Sequence, residues 1–489
     1  MLLRYFSACL GLTAVLVATA RAEEREQNAW PVRVAQVDAA GTVQSWQGAG
    51  PLLFRQPLEG GVTAEGFRPI YLRKRDAAGA LTESDFIYPI FIYRSDSDSY
   101  GWSIVRLINH YHSREGSPTA SNDRGFDVWP FYFSRQTDSP ESSYRALFPI
   151  FGTLPHRLFH DRISWVLFPA YLRLERHGVS STFTPWPVVR TVHGADNTGF
   201  SLWPLFGWSQ QPGVYHNEFY LWPFIYNNVS RLGEPVPKTS FGVLPFYASE
   251  HSAEGMGESY LWPFFGYSHR TAPYRYDETR YFWPLFLQGR GDVYRNRWAP
   301  FYTHSIVKGV DKTWVLWPLF RRQQWTEEGI AQTRTQFLFF LYWSLVQRSA
   351  TNPRVAPAEK THYWPVASVW DNGAGRRQVQ VLSPIEVFFP HNDNMGLLWS
   401  PLFAVYRYDR RSDDEVRHSV LFDLITWRQK AGHREFHLGP LFSTESSSGG
   451  RRVTVGNGLL GFQHGAGGGW RPFWFDFSSK ADETSAPNH

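Results

Sequence analysis

One proline-centred phrase recurs along this chain: an aromatic residue or leucine, then proline, then an apolar pair. Clear copies are Trp203-Pro204-Leu205-Phe206, Trp262-Pro263-Phe264-Phe265, Trp283-Pro284-Leu285-Phe286 and Trp317-Pro318-Leu319-Phe320. Looser copies centre on Pro89, Pro149 and Pro169, on Trp129-Pro130 and on Trp222-Pro223. An inserted residue separates Trp298 from Pro300 and Trp399 from Pro401. Successive prolines lie roughly 16 to 22 residues apart over most of the chain, and a repeat of that length marks a modular architecture. Each unit then buries its apolar surface mainly against its neighbours.

The segments around the phrase read as strands. Lys312 to Arg321 is rich in aromatic and β-branched residues, and polar turns such as Thr326-Glu327-Glu328-Gly329 follow. Helical spacing of apolar residues is scarce, and proline recurs too often for long helices. One strand of about 12–14 residues and one connector per period gives an up-and-down antiparallel meander of about 20 or more strands. Proline cannot donate to a sheet ladder, so each one is expected at a bulge, a bend or the start of an apolar half-strand. The phrase makes both faces of its strand apolar, so the sheet centre is expected to be covered on both sides and the phrase tryptophans to sit in the core.

Two architectures satisfy this pattern. The expected one is a closed barrel of outer-membrane type, in which a tilted strand of about 13 residues rises far enough to cross the apolar layer. The alternative is a soluble rolled or layered β-repeat structure that buries the phrases between its layers. Residues 1–22 read as a signal peptide, with Arg4, an apolar run and the small-x-small site Ala20-Arg21-Ala22. Residues 23–49 form a polar leading segment, 50–477 the repeat domain and 478–489 a disordered tail. The only cysteine, Cys9, lies in the leader, so the exported chain is expected to hold neither disulfide nor thiolate.

Lys+Arg is 49 against Asp+Glu 44, and without Arg4 and Arg21 it is 47 against 44. That small surplus, with no basic tract, excludes a nucleic-acid partner. The aromatic share of 17% is the larger departure from the ordinary, and aromatic residues suit strands, cores and membrane interfaces.

Candidate chemistry is sparse. On a strand, His110 and His112 share a face, a usable ligand geometry, but interfacial histidine is the plainer reading. His156/His160 and His433/His437 have helical metal spacing without a helix. Asp96-Ser97-Asp98-Ser99 and Asp413-Asp414-Glu415 lack a full calcium loop and read as solvated turns. No nucleophile elbow or phosphate loop occurs. No catalytic, cofactor or metal residues are assigned. The expected function is therefore a non-enzymatic barrel of a bacterial outer membrane, with a pore, lipid or solute passage or envelope-structural role. Outer-membrane lipid is its expected partner, and a glycan or small solute its candidate ligand. The alternative is a soluble periplasmic or surface protein that holds glycans or a protein through exposed aromatics. Function is expected in the connectors and where the phrase fails, at residues 102–116 and 337–362.

Overall fold

The computed structural model describes residues 25–476, except 39–40, 115–122, 391 and 466–467; the expected leader and tail lie outside these. It is an all-β chain in which 45 antiparallel strands form one sheet. Each strand pairs with the strand before it and the strand after it, as an up-and-down meander requires. The sheet starts at Arg25–Ala29, so the polar leading segment already contains its first three strands.

The strands are shorter than the period implies. They run from four residues, Tyr144–Leu147, to eight, such as Phe320–Glu327. One period of about 20 residues holds two short strands and two turns, where the sequence suggested one long strand and one connector. The connections alternate in chemistry. Nearly all the odd ones carry the phrase or an apolar variant of it, with Gly456-Asn457-Gly458-Leu459 an exception. The even ones are mostly polar, as at Asp96-Ser97-Asp98, Lys308-Gly309, Glu328-Gly329 and Asp413-Asp414, with Leu158-Phe159 an apolar exception. In a meander, odd connections all fall on one rim and even connections on the other. The sheet therefore has an apolar rim and a polar rim.

Its two faces differ as well. On one face small residues lie beside rings: Gly207 pairs with Ser201 and Phe219, and Gly242 with Tyr226. A Cβ on either glycine would collide with those rings, so glycine there makes room for a cross-strand aromatic. This face is the buried one, with Phe54, Leu72, Trp165, Leu287 and Trp343 on it.

The first strand meets strands a few places before the last through that inner face. Asn28 Nδ2 donates to the Asp423 carbonyl at 2.8 Å, and Arg417 binds Glu26 at 2.8 Å and Asp423 at 2.9 Å. Nearby, Phe54, Ala64 and Leu72 pack on Leu398 of the helix Asp393–Phe403. Arg68 stacks 3.8 Å over Phe54 and donates to the Leu397 carbonyl at 2.7 Å. No backbone pairing joins the first strand to the last, Trp470–Trp474, among the described residues, so the sheet is not closed by hydrogen bonds. The helix interrupts the all-strand expectation. Asn392 caps it by accepting from the Met395 N–H at 3.1 Å, and Trp399 to Phe403, a copy of the phrase, forms its last turn.

Candidate functional site: an apolar rim

The phrase is a turn and not a strand centre. In 202–205 the Leu205 N–H donates to the Leu202 carbonyl at 2.8 Å, and in 221–224 Phe224 donates to Leu221 at 2.8 Å. The bonds before Pro204 and Pro223 are cis. Proline holds the third position of a four-residue turn, which makes no ladder bond, so the donor it lacks is not needed.

Neighbouring turns are stitched together. The Leu221 N–H donates to the Leu205 carbonyl at 2.7 Å, and the Trp222 N–H to the Pro204 carbonyl at 2.7 Å. Phe224 is bonded within the turn and Pro223 has no N–H, so this tip leaves no backbone donor unsatisfied. The same accounting closes at 167–170, through Leu167, Phe168 and Ala170, and at 316–319, through Leu316, Trp317 and Leu319. An unsatisfied donor costs several kcal/mol in an apolar medium, roughly 2–7, and these turns carry none.

The side chains beside the turns match. Register partners flanking the rim on the outer face run unbroken from Leu53 to Tyr171, from Val189 to Phe265 and from Phe282 to Trp474. One stretch reads Phe206, Tyr220, Ile225, Val243, Tyr247, Tyr260. Every member of the three runs is aliphatic or aromatic, and none is buried. Two residues further from the rim the row turns mixed, with Glu218, Asn227, Ser249 and Glu258. The apolar band is thus the turns plus one row, about 7–10 Å along the strand direction. A contiguous exposed apolar surface of this extent marks an interaction site.

The structure places Pro89, Trp129, Pro130, Pro149, Pro169, Trp203, Pro204, Trp222, Pro223, Trp262, Pro263, Trp283, Pro284, Trp317 and Pro318 in these rim turns, and Pro401 in the last turn of the helix. The prolines sit at bends, one of the expected settings. The tryptophans do not sit in the core: Trp129 is 59% exposed and Trp317 57%. A turn projects its side chains beyond the sheet, so no layer covers them. Residues 105–107 and 338–341, where the phrase fails, are rim turns as well. Strength of propensity would not reveal this. The mirrored strands around each phrase do, as in Ser201 and Gly207 flanking Leu202 to Phe206.

Elsewhere the candidate ligands do not assemble. His110 and His112 share the outer face with ring centroids 6.5 Å apart, and burial together with the charge of His112 lowers the pKa of His110. Among the described residues no three His, Cys, Asp or Glu side chains gather as a metal site needs. Asp96 accepts from the N–H groups of Asp98 and Ser99 at 2.8 and 2.6 Å, a self-satisfied turn. Glu415 binds Arg428 at 2.8 Å. His362 is buried against Trp343, 5.4 Å between centroids, and 4.0 Å from Glu386. Burial drives its pKa down to about 4 against the pull of that carboxylate.

Among the described residues no helix is long and apolar enough to cross a membrane. No protein-family model matches the chain, and no curated protein is similar to it in sequence.

Proposed function

We propose that the protein is a non-enzymatic component of a bacterial envelope that seats its apolar rim in one leaflet of the outer membrane and holds or passes lipid or small solutes along its inner face. The observation that carries this reading is the rim itself: apolar side chains over turns of which several, 167–170, 202–205, 221–224 and 316–319, satisfy every backbone donor internally. A band of about 7–10 Å suits the headgroup and acyl boundary, where interfacial elements sit about 5–10 Å deep. Trp and Tyr, frequent on this rim, are the side chains that such boundaries favour. Strands of four to eight residues fall short of the 9–11 or so that a tilted spanning strand needs, so the reading is attachment to one leaflet. At roughly 1 kcal/mol for each half-exposed apolar side chain withdrawn from water, a dozen rim residues suffice for firm attachment.

Cell fractionation tests it. Export with recovery in the outer-membrane fraction, and release by detergent but not by salt, is the expected result. Recovery in the soluble fraction without detergent contradicts it, and retention on a glycan column would then favour a carbohydrate-holding role for the exposed tryptophans.

A further inference from the structure

Along most of the inner face, charged groups are paired or absent. Arg94 meets Asp85 at 2.6 Å, Arg157 meets Asp127 at 2.8 Å, and Arg417 meets Glu26 and Asp423. The strands from Phe206–Gln211 to Phe265–Arg270 present mainly Gly, Ser, Asn and aromatic residues inward.

One region differs. Over four strands, Tyr294–Trp298, Val310–Val315, Phe320–Glu327 and Ile330–Phe337, the inner face presents Arg297, Lys312, Arg321 and Arg334. Their register places them together: Arg297 and Trp314 both pair with Thr303, Trp314 pairs with Arg321, and Lys312 and Arg334 both pair with Gln323. All four are half-buried, and no carboxylate lies within ion-pair distance of any of them among the described residues. Their bonds go to neutral groups: Arg297 to the Pro284 carbonyl at 3.1 Å, Arg321 to Gln336 at 3.1 Å and to Gln323. The Nε atoms of Arg321 and Arg334 are buried with no hydrogen-bond partner. Arg321 stacks 5.2 Å from Trp314, and Arg334 5.4 Å from Trp325. The cations also oppose one another. Burial, then Arg321 and Arg297, lower the pKa of Lys312, and burial, then Arg334, lower that of Arg321.

Half-buried like charges without counter-ions are costly, and a bound anion would relieve that cost. Arginine forks suit phosphate oxygens. Position narrows the choice. Arg297 directly precedes Trp298 and Arg321 directly follows Phe320, and Trp298 and Phe320 belong to the outer apolar row. The basic patch therefore begins one residue inside the apolar band, at the depth of a headgroup when the rim lies in a leaflet. We propose that this patch binds the phosphate of an anionic lipid headgroup. The inference rests on the rim reading above.

Vesicle binding tests it with the full chain. Phosphatidylcholine vesicles are compared with vesicles containing phosphatidic acid at one part in five. Wild type is expected to prefer the anionic vesicles about tenfold, with the preference lost at high salt. The K312Q/R321Q variant should lose that preference and keep its affinity for neutral vesicles, which also reports that it is folded. R297Q/R334Q serves as the second variant. K308Q, on the polar rim, should behave as wild type. Inorganic pyrophosphate should compete away only the anionic increment. Equal binding of wild type to both vesicle types, or an undiminished preference in both double variants, overturns the inference. Pyrophosphate binding with no lipid preference overturns the lipid source. Binding to neither vesicle type is a different outcome, because it defeats the rim reading itself.

Discussion

The Leu221 N–H donates to the Leu205 carbonyl at 2.7 Å, carrying the strand ladder one rung beyond the strands and into the turns. That rung converts separate hairpin tips into a continuous edge. An edge made only of tips would expose N–H groups at every turn. At 167–170, 202–205, 221–224 and 316–319 the rung, the bond within the turn and proline's missing donor dispose of them together.

Charges on this edge should abolish attachment without unfolding the chain. The triple variant L205D/L221D/F224D places three carboxylates on exposed positions. Surface changes of this kind shift stability by about 0.5 kcal/mol or less each. Vesicle co-sedimentation should fall at least tenfold while the urea midpoint moves little. Unchanged co-sedimentation would contradict the rim assignment.

Leu398 is fully buried between the helix and the first strands, beside Phe54, Ala64 and Leu72. L398A should cost about 2–5 kcal/mol, read from urea unfolding, because the site is lined from two parts of the chain and cannot collapse freely. A loss below 1 kcal/mol would mean that the helix does not anchor the first strands there.

Gly207 faces the Phe219 ring and Ser201 on the inner face. G207V should destabilise by about 1–3 kcal/mol through overpacking. G465V, where an added Cβ meets nothing within 4 Å and the backbone is not at positive φ, introduces no such contact and serves as the comparison.

Acid should loosen the fold through His362. Burial lowers its pKa to about 4, from an ordinary 6.5, so the folded state refuses a proton that the unfolded chain accepts. The stability it confers is complete above pH 6.5 and is lost as pH falls toward 4. Glu26 acts lower: burial opposes its ionisation, but Arg417 holds its pKa to about 2, so its contribution disappears between about pH 4.5 and 2. Asp85, raised to about 6 chiefly by burial, works in the opposite sense and is relieved between pH 6 and 3.8. H362Q should therefore reduce the loss between pH 6.5 and 4 by on the order of 2 kcal/mol in urea titrations. An unaltered slope would exclude His362.

The sequence shows that the chain is all-β, antiparallel and repetitive, because aromatic and β-branched segments recur between turn residues without helical spacing. It does not show where in the unit the phrase lies. A period of about 20 residues fits one long strand as well as two short ones, and proline fits both a bulge and a turn. The choice rests on tertiary pairing, such as Phe206 with Tyr220 across adjacent hairpins. The junction of Glu26 with Arg417 joins residues 391 positions apart, and no local pattern encodes it. The cations of the inner face were hidden for a related reason. Arg297, Lys312, Arg321 and Arg334 are dispersed in sequence and converge only when the register is known.

The most direct test uses the two ends of one strand. Phe301 lies at the apolar end of Tyr302–Val307 and Lys308 at its polar end, about 20 Å apart. With C9A removing the single cysteine of the sequence, F301C and K308C can each carry a single environment-sensitive fluorophore. On phosphatidylcholine vesicles with brominated acyl chains, the label at 301 should shift to the blue and be quenched, and the label at 308 should do neither. Quenching at 308, or at neither position while the protein remains folded, would contradict insertion of the apolar rim.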